Sequence, residues 1–183
     1  MENYSYSQIG QDLEVLKHTK NKKNGTFVDI GCYCPIDINN TYLLEKKYGW
    51  SGISIDLFGD YSHEGSNMQT LYESWETERP GSCVIKGDAV ELDYAKLFKE
   101  NNLPFEIDYL TLDLEPPMVT FEALKKLPLD TYTFGIVTFE HDGWRMDKEF
   151  IEQTRAHFKS YGYTWVKDIR NQDDVYIHES IQY

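Results

Sequence analysis

Between Gly25 and Gly49 the chain reads as strand, turn and helix, and this unit constrains everything around it. Thr26-Phe27-Val28 is short, β-branched and aromatic, the composition of a buried strand. It runs into Asp29-Ile30-Gly31, where glycine permits a sharp turn and close approach of the backbone to a ligand. After a polar loop, Asn39-Asn40-Thr41 has the composition of a helix N-cap, Tyr42–Tyr48 is the helix and Gly49 its stop. In an open α/β sheet, ligands bind beyond the carboxyl ends of such strands.

The unit recurs along the chain. Ile53–Leu57, Cys83–Ala89, Ile107–Glu115 and Thr133–Glu140 read as further strands. Helices are expected around Leu92–Phe98, Phe121–Leu127 and Phe150–Phe158, the last closed by Gly162. Residues 58–80 show no clear period and read as an irregular excursion with one short helix at Leu71–Trp75. Tyr163–Ile169 and Val175–His178, joined by Arg170–Asp174, predict a closing hairpin. Ahead of the first strand, residues 4–20 predict a helix, with Ser5 and Gln8 at capping-box spacing. The expectation is a single domain over 1–183: an N-terminal helical segment, 1–24, and an α/β core, 25–183. Its sheet is mostly parallel, with helices on both faces and one antiparallel strand near the edge.

A length of 183 residues suits one core of that size. The net charge of −13 lacks the basic footprint of a duplex-binding protein and argues against a nucleic-acid partner. No apolar run is long enough to span a membrane, and Met1–Gly10 does not read as a signal peptide, so no membrane partner and a cytoplasmic location are expected. Cys32, Cys34 and Cys83 are an odd set and predict reduced thiols.

The informative pattern is at the strand ends. Asp29, Asp56, Asp88, Asp113 with Glu115, and Glu140 with Asp142 lie at or just beyond the carboxyl ends of five successive strands. A parallel sheet gathers them in one acidic crevice. An acid ending the second strand suits a ribose diol, which is Asp56. Asp88 suits an adenine amino group, with Ala89 beneath the ring. The loop after Gly31 reads Cys-Tyr-Cys-Pro-Ile-Asp and lacks the glycines that a pyrophosphate requires. That argues against NAD and favours a nucleoside without a diphosphate. S-adenosylmethionine fits, and its sulfonium is cationic.

Taken together, Ser7-Gln8-x-Gly10-Gln11-Asp12, Gly25-x-Phe27-Val28-Asp29-Ile30-Gly31, Asn40-Thr41 with Leu44-Glu45, Gly49-Trp50-x-Gly52-x-x-Ile55-Asp56, Asp108-Tyr109-Leu110-x-Leu112-Asp113-x-Glu115 and Glu140-His141-Asp142 resemble the FkbM-type S-adenosylmethionine-dependent methyltransferases. The resemblance runs to about Gly162-Tyr163. It implies a Rossmann-like class I methyltransferase sheet of seven strands with the last antiparallel. It makes Asp29 and Gly31 the cofactor turn, Asp56 the ribose acceptor, Asp88 the adenine contact, and Gln11 a neighbour of the methionine end. Where the family usually keeps another glycine, this chain has Pro35-Ile36.

The implied reaction is O-methylation of a small-molecule or glycan acceptor, with a sugar or glycan hydroxyl as the first choice. His141 is the first candidate base, because imidazole titrates near neutrality; Asp113 and Glu115 are alternatives. In some similar sugar O-methyltransferases, acids of the fourth and fifth strands hold a divalent cation. Asp113 and Asp142, with Glu140, offer oxygen ligands suited to Mg²⁺ or Mn²⁺. His63 and Glu64 are placed on the substrate side, and Trp144 offers an apolar face for a sugar ring. The competing reading is a catalytically inactive methyltransferase-like scaffold, favoured by the altered Cys32–Asp37 turn. The sequence is silent on oligomeric state.

Overall fold

The structure is a computed structural model that describes residues 4–59, 68–181 and 183. His63 and Glu64 lie outside the described residues. Seven strands form one sheet in the order β3-β2-β1-β4-β5-β7-β6. They are β1 (Thr26–Ile30), β2 (Ser51–Asp56), β3 (Ser82–Lys86), β4 (Glu106–Leu112), β5 (Thr133–Glu140), β6 (Tyr163–Ile169) and β7 (Asp173–His178). Strands β3 to β5 pair in parallel, while β7 is antiparallel to both β5 and β6. The expected architecture is present, with the antiparallel strand one position in from the edge.

The central strands β1, β4 and β5 are buried almost throughout. They alternate between two cores, as the two-residue period of a strand requires. Val28, Ile30, Leu110, Leu112, Val137 and Phe139 pack with Phe98 of α4 (Tyr94–Glu100), Leu124 of α5 (Pro117–Lys126) and Phe158 of α6 (Lys148–Ser160). Phe27, Tyr109, Ile136 and Val175 pack on the other face with Val15 and Leu16 of α1 (Gln11–His18) and Leu43 and Leu44 of α2 (Tyr42–Tyr48). A smaller cluster joins Cys32, Phe58 and Trp75, the last from α3 (Met68–Glu78).

Three expectations change. The first helix begins at Gln11, not near Ser5. Ser5 and Ser7 donate to the buried Asp12 carboxylate, at 2.6 and 2.9 Å, instead of forming a capping box with Gln8. Gly10, at φ 95°, starts the helix from the left-handed region. The excursion after β2 carries an eleven-residue helix rather than the short one expected at Leu71–Trp75, and its Trp75 is fully buried under the Cys32–Tyr33 turn. Finally, β7 begins at Asp173, two residues before Val175.

Candidate functional site

Strand register assembles the site. Ile30 is level with Ile55 and Leu112, Leu112 with Phe139, and Glu140 with Asp173. One residue further on, Asp56, Gly31, Asp113, Glu140 and Asp173 fall on one rung across β2, β1, β4, β5 and β7. The carboxyl edge of the sheet therefore carries four acids around a glycine. Gly31 has φ 91°, and a Cβ there would sit 1.8 Å from the Asp113 carbonyl oxygen. Glycine is needed first because the ends of β1 and β4 touch, a reason invisible in the linear pattern.

Asp56 is half-buried and preorganised. Its Oδ2 accepts from the Tyr33 amide and its Oδ1 from the Phe58 amide, both at 2.9 Å. A carboxylate has about four lone-pair sites, so each oxygen retains one for a diol. Asp88 lies two residues beyond Lys86, the β3 partner of Asp56. Its Oδ1 accepts from the Val90 amide, and Ala89 is buried beside it. These groups sit together on the β2–β3 side of the sheet edge.

Asp29 is placed differently from the expectation. It is 1% exposed and points to the α2 face, where it accepts from Thr41 Oγ1 at 2.8 Å. Burial raises its carboxyl to about 7, despite the Thr41 hydrogen bond and the Arg79 charge. It supports the turn from beneath.

The Cys32–Thr41 loop is held by residues that the linear pattern did not single out. Arg79, at the end of α3, is fully buried. Its Nε donates to Glu45 Oε2 at 2.6 Å, Nη1 to the Pro35 carbonyl at 3.1 Å and Asn39 Oδ1 at 2.9 Å, and Nη2 to Thr41 Oγ1 at 2.9 Å. The Asn39 amide donates to the Cys32 and Cys34 carbonyls, while its Oδ1 accepts from the Tyr42 amide at 2.8 Å. The loop without a second glycine is thus tied down by side chains. Arginine is seldom found fully buried, so its isolated charge in a polar stretch carried no signal.

On the β4–β5 side the acids are crowded. Burial, then the Asp113 charge, raises the Glu140 carboxyl; burial likewise raises Asp113, against hydrogen bonds from Glu140 and Asn40. Asp173 is pushed well up by burial and by Asp113, and it accepts from Gln11 Nε2 at 3.1 Å. Each of these carboxyls resists ionisation because burial and its neighbours' charges work against it. Gln11, buried completely, reaches the site through Asp173.

Glu115, Glu140 and Asp142 each offer a carboxylate oxygen within 4.8 Å of the others. The Glu140 Oε2 is buried without a hydrogen-bond partner. A divalent cation fits this oxygen-only set. Asp113, expected as a ligand with Asp142, is not one of the three; it neighbours Glu140 and accepts from Asn40 Nδ2 at 3.3 Å. Arg145 Nη2 bridges Glu115 and Asp142, the latter at 2.7 Å. Trp144 is 66% exposed and donates from Nε1 to Asp142 Oδ1.

His141 is turned away from this rung. It has no exposed surface, and its Nε2 lies 3.2 Å from Asp168 and 3.6 Å from Asp174. In this second cluster Asp174 is ion-paired with Arg155 at 2.7 Å. Asp174 already takes four donors, two from Arg155 and one each from Trp165 and Tyr176. Burial works against its charge, but the His141, Arg155 and Trp165 contacts outweigh that and hold it at about 2. All its lone pairs are committed, so a metal has no place on it. The backbone amides of His141 and Asp142 both donate to the Gln172 carbonyl, docking the turn on the hairpin.

No family model matches the chain, and no curated protein is similar to it in sequence. Solved structures are similar in fold. A putative rRNA methylase from Clostridium thermocellum shares 17% identity over 99% of this chain and 100% of its own, with a TM-score of 0.59. The METTL16 MTase domain shares 13% identity over 92% of this chain and 64% of its own, with a TM-score of 0.58. The O-methyltransferase NovP shares 13% over 93% and 77%, with a TM-score of 0.55. The fold is that of the Rossmann-like methyltransferases. None of the described helices is long and apolar enough to cross a membrane.

Proposed function

We propose that the protein is an S-adenosylmethionine-dependent O-methyltransferase of the FkbM type, acting on a sugar or glycan hydroxyl in the cytoplasm. The observation that carries this is the single rung of Asp56, Gly31, Asp113, Glu140 and Asp173, with a nucleoside-sized division of labour along it. Asp56 receives the ribose hydroxyls on its two free lone pairs. Asp88 and Ala89 receive the adenine. Gln11, fixed by Asp173, faces the methionine end. Four of the FkbM-type blocks reach this edge, through Gly31, Asp56, Asp113 and Glu140, which supports the family reading. The name of one similar structure, the rRNA methylase, points to RNA, but a net charge of −13 disfavours a polyanionic acceptor here.

The cofactor supplies an electrophilic methyl group. The chain must orient a hydroxyl toward it and remove a proton. The proton-sharing Asp113–Glu140 pair is the better-placed acceptor, because His141 is sealed behind the Asp142 turn and faces other acids. Asp142, Glu140 and Glu115 would hold a divalent cation, with Asp113 supporting Glu140. The flat, exposed Trp144 beside them offers a face to a sugar ring.

Titration with S-adenosylhomocysteine tests the cofactor half. Binding should be clear in the native chain and lost in Asp56→Ala; no binding in the native chain would return the scaffold reading. With an acceptor in hand, Asp113→Asn should lower turnover by about a hundredfold or more, the usual scale for a lost general base. His141→Asn should act mainly on stability. The reverse order of effects would restore His141 as the base.

A further inference from the structure

We infer that Arg145 is a resident counter-ion of the Glu115–Glu140–Asp142 cluster, so that a divalent cation binds there only by displacing its guanidinium. This deepens the metal part of the proposed function.

Three carboxylates converge within 4.8 Å, two of them buried: Glu140 is 6% exposed and Asp142 3%. Clustered carboxylates repel unless a cation, a ligand or protons compensate. Arg145 Nη2 answers two of the three, bonding both Glu115 Oε2 and Asp142 Oδ2. It makes no bond to the third, and Glu140 Oε2 is buried without a hydrogen-bond partner. A planar guanidinium projects its donors in a fixed fork, whereas a small cation draws all three carboxylates to one centre. The orphaned oxygen therefore marks a position that a metal satisfies and arginine does not.

The geometry also gives the guanidinium a way out. The Arg145 side chain is 32% exposed and lies 5.3 Å from the Trp144 ring centroid. Swinging toward solvent over that ring keeps a cation–π contact while vacating the carboxylates. Glu115 is exposed on the loop after β4, and Asp142 lies on the loop after β5. Arg145 thus also links the two loops across the crevice.

The test is Mn²⁺ binding to the full chain, without cofactor or acceptor, followed by loss of the free-ion electron paramagnetic resonance signal. Arg145→Gln removes the competing charge and should tighten Mn²⁺ binding by about tenfold or more, because a unit charge a few ångströms from a divalent ion is a strong competitor even when partly screened. Arg145→Lys should remain close to the native affinity. Adding Asp142→Asn to Arg145→Gln should abolish the gain, separating this site from other acids on the surface. Equal affinity in the native chain and Arg145→Gln, including absence of binding in both, overturns the inference. So does a gain that survives Asp142→Asn. S-adenosylhomocysteine titration of the same variants reads the methyltransferase assignment separately, and its failure leaves the Mn²⁺ result standing.

Discussion

Replacing Arg79 with methionine should destabilise the protein by about 3–5 kcal/mol, the usual cost of removing one partner from a buried ion pair. The change leaves the Glu45 carboxylate buried, with the Gly81 amide as its remaining close donor and Lys46 at 4.0 Å. It also strips a donor from the Pro35 carbonyl, from Asn39 and from Thr41 at one stroke. Methionine roughly preserves the packing under Trp75, over which the guanidinium lies at 4.8 Å. Urea unfolding checks the energy. Adding Glu45→Gln should recover part of it, because the stranded charge is then gone. The same variant, still folded at low temperature, should bind S-adenosylhomocysteine more weakly, since Arg79 immobilises the Cys32–Thr41 loop against which Asp56 is oriented. A loss below about 1 kcal/mol would mean that the loop is held by other contacts.

Asp29 should make the protein less stable as the medium becomes less acidic. Its carboxyl is raised from 3.8 to about 7 by burial, so the fold prefers the neutral form. The sign follows from linkage. Below pH 3.8 the group is protonated in both the folded and unfolded chains, and its contribution is fully present. As pH rises toward 7 the unfolded chain ionises freely while the folded one resists, and the contribution is lost. The difference corresponds to roughly 4 kcal/mol. Asp29→Asn cannot ionise but keeps an oxygen for Thr41. The stability of Asp29→Asn relative to the native chain should therefore climb between pH 4 and pH 7, whatever constant offset the amide introduces. Denaturant titrations across that range measure it directly, and a flat difference would show that Asp29 ionises without penalty. Asp174 acts in the opposite sense: held at about 2, it contributes stability above 3.8 that is lost as pH falls toward 2.

Much of the site was readable because it is built from periodic elements. Near-continuous apolar runs in Phe27–Ile30, Tyr109–Leu112 and Ile136–Phe139 mark parallel strands buried on both faces. Parallel strands put their carboxyl ends on one edge, so Asp56, Asp113 and Glu140 follow from sequence position alone. Asp173 escaped the same count for a simple reason. It begins an antiparallel strand, and the amino end of such a strand reaches the edge where the others finish. The residue looked like part of a hairpin loop.

Local periodicity thus fixes the succession of strands and helices along the chain and the edge on which its acids gather. The tertiary structure alone decided which way each side chain faces and what neutralises it. Asp29 and His141, prominent in the linear motifs, are turned inward toward Thr41 and toward Asp168 and Asp174. Arg79 and Arg145, unremarkable in the sequence, supply the charges that make the loop and the acidic cluster possible. A buried charge is stable only beside its partner, and those partners come from elements distant along the chain.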